Sequence, residues 1–168
     1  MGLMDSLRWD TSHAVFVSEI DDDHREIFEA LAGLQLALGG RGTAAEVGVR
    51  TRRLVDRVAE HFAHEERLMR AARYGSLNWH KQQHDGARRC VSEFVGKMQA
   101  GDAQAGREMA EYLAVWLDNH TRLADRMLGA FLRNRRRVWK VTFRAGTKAA
   151  DACGWVDSRG DRFDPEST

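Results

Sequence analysis

The chain predicts an all-α fold: an antiparallel up-down-up-down four-helix bundle with an N-terminal arm and a C-terminal extension. Three observations carry this. The single proline of the 168 residues is Pro165, which leaves the first 164 free of the strongest helix breaker. Four stretches repeat apolar residues every three to four positions, the period of a helix with one buried face, and short turns, most of them glycine-containing, separate them. With 43% hydrophobic and 30% charged residues the composition is that of an ordinary globular chain, and the length suffices for one well-buried core. No apolar run approaches the roughly eighteen residues that would span a bilayer, and the N-terminus lacks the basic-then-apolar order of a secretory signal. The expectation is a cytoplasmic chain with no transmembrane segment.

Residues 1–19 scatter their apolar side chains without a period and read as an arm laid over the bundle, with Trp9 and Phe16 as its anchors. Asp21 to Asp23 supply carboxylates suited to the cap and first turn of a first helix. Its stripe is His24, Ile27, Phe28, Leu31, Gln35 and Leu38, and Gly39-Gly40 stops it. Thr43 followed by Glu46 forms a capping box for the second helix, whose stripe runs Val47, Leu54, Val58, His61, Phe62, Glu65, Leu68 and Met69. Tyr74-Gly75-Ser76 breaks it. The third helix carries Leu77, His80, His84, Val91, Phe94, Val95 and Met98, and ends near Gly101. Asp102 opens the fourth, with Met109, Leu113, Trp116, Leu117, His120, Leu123, Met127, Leu128 and Phe131 on its stripe.

The polar residues inside these stripes are the informative ones. His24, His61, Glu65, His80, His84 and His120 all fall on faces that should be buried. His61/Glu65 and His80/His84 are i, i+4 pairs, so each pair projects from one side of its helix. Burying five imidazoles and a carboxylate without partners would cost several kcal/mol, and a metal ion supplies the partners. Imidazole and carboxylate without thiolate suit iron, manganese or zinc. The two cysteines, Cys90 and Cys153, have no metal-binding or redox spacing and read as reduced structural thiols. His64 reads as a boundary or surface residue, Glu66 as solvated and His13 as structural or exposed.

At this point the chain resembles the hemerythrins, and among them the single-domain bacteriohemerythrins. Ile20-Asp21-Asp22-Asp23-His24-Arg25-Glu26-Ile27-Phe28 is similar to the family's first-helix motif. His61-Phe62-Ala63-His64-Glu65-Glu66-Arg67-Leu68-Met69 is similar to its HFxxEExxM element, and His80 to His84 to its HxxxH pair. In the segment from Trp116 to Asp125 an aspartate follows the histidine by five residues, as in the fourth-helix motif. The resemblance covers roughly residues 9 to 131 and fills all seven ligand positions. It implies two iron ions in a non-haem, oxo- or hydroxo-bridged centre, with Glu65 and Asp125 as bridges. His80, His84 and His120 would complete one iron; His24 and His61 would hold the other and leave a position open. Five residues is about 140° around an α-helix, so Asp125 has to reach in from the edge of the stripe.

The implied function is reversible O2 binding, as bound peroxide, for storage, delivery or sensing; the chain is not read as an enzyme. Leu117 matches a pocket-lining leucine of the family, with Phe28, Phe62 and Trp116 as companions around the O2 pocket. The alternative is a redox enzyme that reduces peroxide or nitric oxide at the same centre. A ferritin-like, iron-storing bundle would carry paired Glu-x-x-His motifs, and none occurs. The chain departs from the family pattern at Asp23, where glutamine is usual, at Thr121, where isoleucine is common, and at Gly75, where proline is frequent. If the Thr121 hydroxyl faces the pocket, it is placed to donate a hydrogen bond there and speed autoxidation.

Residues 1–132 read as the bundle with its arm, and 133–168 as an extension outside the resemblance. The extension holds nine Lys/Arg against five Asp/Glu, whereas the preceding residues are slightly acidic. Arg133, Arg135, Arg136, Arg137 and Lys140 interleave with Val138, Trp139, Val141 and Phe143. This reads as a solvated helix end and an oligomer or protein contact; no nucleic acid partner is expected, although an anionic partner, nucleic acid or membrane surface, would suit the charge.

Overall fold

A computed structural model describes residues 8–136. After a single 3-10 turn at Thr11–His13 come α1 (Ser18–Leu36), α2 (Ala44–Ala71), α3 (Leu77–Gln99) and α4 (Ala105–His120). One π turn, Ala37–Arg41, extends α1, and a second, Thr121–Asp125, follows α4, after which the backbone is helical again over 126–136. Each helix packs on its neighbour in sequence, and α1 packs on α4, which closes a four-helix bundle. No helix among the described residues is long and apolar enough to cross a membrane. The cysteine reading for Cys153 and all but the first residues of the basic extension lie outside the described residues.

The boundaries follow local chemistry. Thr43 Oγ1 accepts the Glu46 N–H at 3.3 Å, and Glu46 Oε2 accepts the Thr43 N–H at 2.7 Å, the reciprocal capping expected from the sequence. Gly40 and Gly101 take φ of +90° and +91°, a left-handed backbone in which a Cβ is strained. Asp102 Oδ1 accepts the N–H groups of Gln104 at 2.9 Å and Ala105 at 3.3 Å, so it shapes the turn into α4 from just outside the helix.

Two expectations are corrected at the N-terminus. Helix α1 begins at Ser18, a turn earlier than the aspartates suggest, and its cap position, Val17, has no side-chain bond. Asp21 is instead buried, its Oδ1 accepting the Val15 N–H at 2.7 Å. It ties the arm to the helix. Phe16 does not anchor that arm: its φ of +58° turns the ring outward, leaving it 67% exposed, while Val15, Val17 and the His13 ring are buried instead. Trp9 is half-buried against the main core, with the Arg25 guanidinium 4.3 Å from its ring centre.

The apolar residues form two clusters. One, around Phe28, Leu31, Leu54, Phe62, Met109 and Leu117, fills most of the bundle. The other, around Val15, Ile20, Met69, Tyr74 and Leu128, seals the end under the arm. On each helix the histidines lie between residues of one cluster and residues of the other. The bundle therefore holds a polar layer with apolar packing on both sides.

Candidate metal centre

Glu65, His80, His84, His120 and Asp125 bring one ligand atom each within 4.8 Å of one another, and His24, His61, Glu65 and Asp125 do the same. The two groups share both carboxylates. Asp125 shows why: its Oδ1 lies 3.0 Å from His120 Nε2 and 3.1 Å from His80 Nε2, while its Oδ2 lies 3.1 Å from His24 Nε2. Glu65 Oε2 lies 3.1, 3.4 and 3.7 Å from Nε2 of His80, His84 and His61. All seven residues are at most 3% exposed.

These residues fit metal ions by a specific test. None of the four carboxylate oxygens, nor either nitrogen of His24, makes a directed hydrogen bond, although both Asp125 oxygens, Glu65 Oε2 and His24 Nε2 have contacts of about 3 Å. The atoms aim at common points rather than at each other. His120 Nε2 lies 3.1 Å from Nε2 of both His80 and His84. Bonds of about 2.0–2.1 Å from one cation, at right angles, would set adjacent nitrogens about 3 Å apart.

Asp125 does not reach in from the edge of a stripe. The π turn Thr121–Asp125 adds one residue to the helix, so the five-residue step from His120 behaves like an i, i+4 step and both side chains face the centre. The same extra residue re-phases part of the expected stripe: Leu123 and Met127, expected to be buried, are exposed, and Ala124 and Leu132 are buried in their stead, while Leu128 stays buried as expected. Deleting Leu123 is therefore expected to restore a regular α-turn and keep metal stoichiometry, whereas deleting Asn119, ahead of the site, should abolish it. Metal analysis of the two deletion variants checks this. Equal loss in both would count against the re-phasing.

Around these seven residues stand partners that spacing alone did not find. Glu66, expected to be solvated, is buried: it receives Arg88 at 2.9 Å and Arg70 at 3.0 Å, and its Oε1 lies 3.4 Å from His84 Nδ1. Gln83 Oε1 lies 3.2 Å from His120 Nδ1. Asp23 Oδ2 sits 2.6 Å from His64 Nδ1 and 3.7 Å from His61 Nδ1, which makes the half-buried His64 a neighbour of the centre's edge. His13 is a structural residue, its Nε2 3.0 Å from Asp118 Oδ1. The i+1 position of Glu66 after a ligand was the available signal, but its meaning depends on Arg88 of another helix.

The expected pocket residues divide. Phe62 stacks on His84, centroids 4.0 Å apart and 9° from parallel, and Trp116 stacks on His120 at 4.2 Å. Both brace the three-histidine side. Phe28 packs 4.7 Å from the His13 ring, and Leu117 lies in the main core. The Thr121 hydroxyl donates to the Leu117 carbonyl at 2.8 Å, so it is spent on the helix backbone and not offered to a pocket.

Electrostatics follow from burial and crowding. Burial and Asp125 both push Glu65 up, but His61, His80 and His84 outweigh them and bring it down to about 2. Asp125 is likewise held low, burial being outweighed first by His120. Burial lowers His80, yet Asp125 and Glu65 raise it to about 9, while burial dominates at His84 and lowers it. In metal-free protein the His80 pairing stabilises the fold fully below its ordinary 6.5 and is lost as pH rises through about 9. A metal needs the neutral ring, so loading at pH 7 is expected to release protons, and affinity to climb from pH 7 towards 9. Metal titration in weakly buffered solution measures both. Loading without proton release would contradict the charged state of His80.

A helical bundle with five imidazoles and two shared carboxylates in its core is a cation-binding protein of the carboxylate–histidine class. Comparison narrows it: the model of the hemerythrin HHE cation binding domain matches residues 15–132. The chain is 37% identical over 122 residues to Bacteriohemerythrin of Pseudomonas aeruginosa, covering 73% of this chain and 78% of that one. It is 31% identical over 121 residues to Hemerythrin of Siphonosoma cumanense, covering 72% and 89%. A crystal structure of a leucine-to-tyrosine mutant of hemerythrin superposes with a TM-score of 0.70 at 27% identity, covering 79% of this chain and 98% of that one. The chain belongs to the hemerythrin family.

Proposed function

We propose that this protein binds O2 reversibly at a centre of two iron ions held by His24, His61, Glu65, His80, His84, His120 and Asp125. The observation that carries the reading is the unequal division of histidines, three against two, around a shared pair of carboxylates. Two ferrous ions, when bound, supply electrons that can be lent to O2 and recovered. The side chains do the rest. Glu65 and Asp125 face both groups and hold them at a fixed separation. With fewer protein donors, the His24/His61 side is the one with room for an outside ligand. Phe28, Phe62 and Leu117, all buried, keep water away, which favours return of the electrons over their irreversible loss. Peroxide or nitric oxide reduction, the alternative, consumes protons, and the buried Thr121 hydroxyl is committed to the backbone. In this reading residues 1–132 are the binding domain, and the basic extension 133–168 serves a partner or oligomer contact.

The test is metal analysis with absorption spectra of the protein reduced anaerobically, exposed to air and then evacuated. About two irons per chain and a charge-transfer band that appears in air and disappears under vacuum are expected. Iron that oxidises at once with no persisting band would move the function to redox catalysis.

A further inference from the structure

A groove of about 590 Å³ on the surface of the bundle is lined in part by one residue of the buried centre, His120. Its lining includes Gln83 of α3 and Trp116 and His120 of α4. His120 is a ligand, Trp116 stacks on its ring at 4.2 Å, and Gln83 meets its Nδ1 at 3.2 Å. The groove thus lies one ring contact from a group whose Nε2 belongs to the three-histidine set. Electron tunnelling decays exponentially with distance and weakens further across gaps, so a continuous contact of this kind favours the passage of electrons.

The surroundings of the groove suit a particular visitor. Val115 and Leu123 line it while 64% and 58% exposed. The π turn that brings Asp125 into the centre is what turns Leu123 outward. Glu108 and Glu111 also line it, and among the described residues no Lys or Arg does. A small apolar patch beside like charges fits a brief, electrostatically steered encounter of the size redox partners use, below about 1,200 Å².

We propose that this groove is the docking face for a one-electron carrier protein with a basic patch around its own redox group, which returns the oxidised centre to the ferrous state. The inference rests on the di-iron reading above. Each encounter oxidises one reduced carrier by one electron and reduces one ferric ion to ferrous, so two encounters restore the pair, and no bond forms between the proteins. Trp116 and His120 provide the path; Glu108 and Glu111 provide the orientation.

The test uses the whole iron-loaded protein, its iron content measured first. Oxidised wild type, the double variant Glu108→Gln/Glu111→Gln, and a control of equal charge change, Glu26→Gln/Glu60→Gln on α1 and α2, are reduced at low ionic strength in a stopped-flow cell. With cationic hexaammineruthenium(II) as donor, the groove variant is expected to slow roughly three- to tenfold and the control to match wild type, the difference vanishing at high salt. With anionic dithionite the groove variant should not slow. A redox-inert cation, hexaamminecobalt(III), should shift backbone amides between residues 108 and 123 in wild type and not in the groove variant. Equal slowing in control and groove variants, no slowing in either, or amide shifts centred elsewhere would overturn the docking face while leaving the iron centre intact. A chain without iron would overturn both readings together.

Discussion

Asp125→Ala is expected to abolish stable loading of both metal positions. Asp125 presents Oδ1 to His80 and His120 and Oδ2 to His24, so one substitution removes an oxygen from each group and leaves Glu65 alone among five imidazoles. Metal content should fall from about two ions per chain to well below one. The metal-free fold should weaken as well, because a raised His80 then loses a carboxylate partner in a buried place, and breaking such a pair costs about 3–5 kcal/mol. Asp125→Asn keeps the volume and one acceptor oxygen, and should lose metal with a smaller loss of stability. Metal analysis and denaturant midpoints of the two variants make the comparison. An alanine variant that keeps two tightly held ions would remove Asp125 from the ligand set.

Phe62→Ala is expected to cost about 3–5 kcal/mol of stability. Its ring has no exposed surface, stacks on His84, meets Trp116 edge-on at 5.3 Å and lies under the Arg88 guanidinium at 5.1 Å. The cavity left behind would border a ligand, so the His84 ring would gain freedom and metal affinity would fall with stability. Phe62→Leu separates the two effects. It restores most of the volume, at a cost of about 1–2 kcal/mol, but not the stack. A leucine variant that folds well and still loses metal to a competing chelator more readily than wild type would assign the stack a positioning role. Wild-type retention in that variant would reduce Phe62 to core packing.

Much of the molecule can be read from local pattern. The four helices and the burial of His24, His61, Glu65, His80, His84 and His120 follow from a period of three to four residues, because one buried face recurs at that interval wherever the backbone stays α-helical, and the Thr43–Glu46 capping box follows from its residue types three positions apart. The polar residues stand out for the same reason: they occupy positions where only a shared partner makes burial tolerable. Pattern stops being informative where the backbone changes its period or where two helices must be placed against each other. The π turn at Thr121–Asp125 is one such place. It faces Asp125 to the centre and Leu123 to solvent, yet no residue type announces it, since an uninterrupted α-helix through the same segment would also have shown apolar residues at helical intervals. Glu66 is another. Its neighbours in sequence suggest a solvated carboxylate, and only the rotation of α2 against α3 brings Arg88 to neutralise it and His84 to meet it. Six of the seven central residues were local information and the seventh, Asp125, rested on the family resemblance; the assembly of their carboxylates into two overlapping groups, and the partners that hold the rings in place, came from contacts between helices that no single helix encodes.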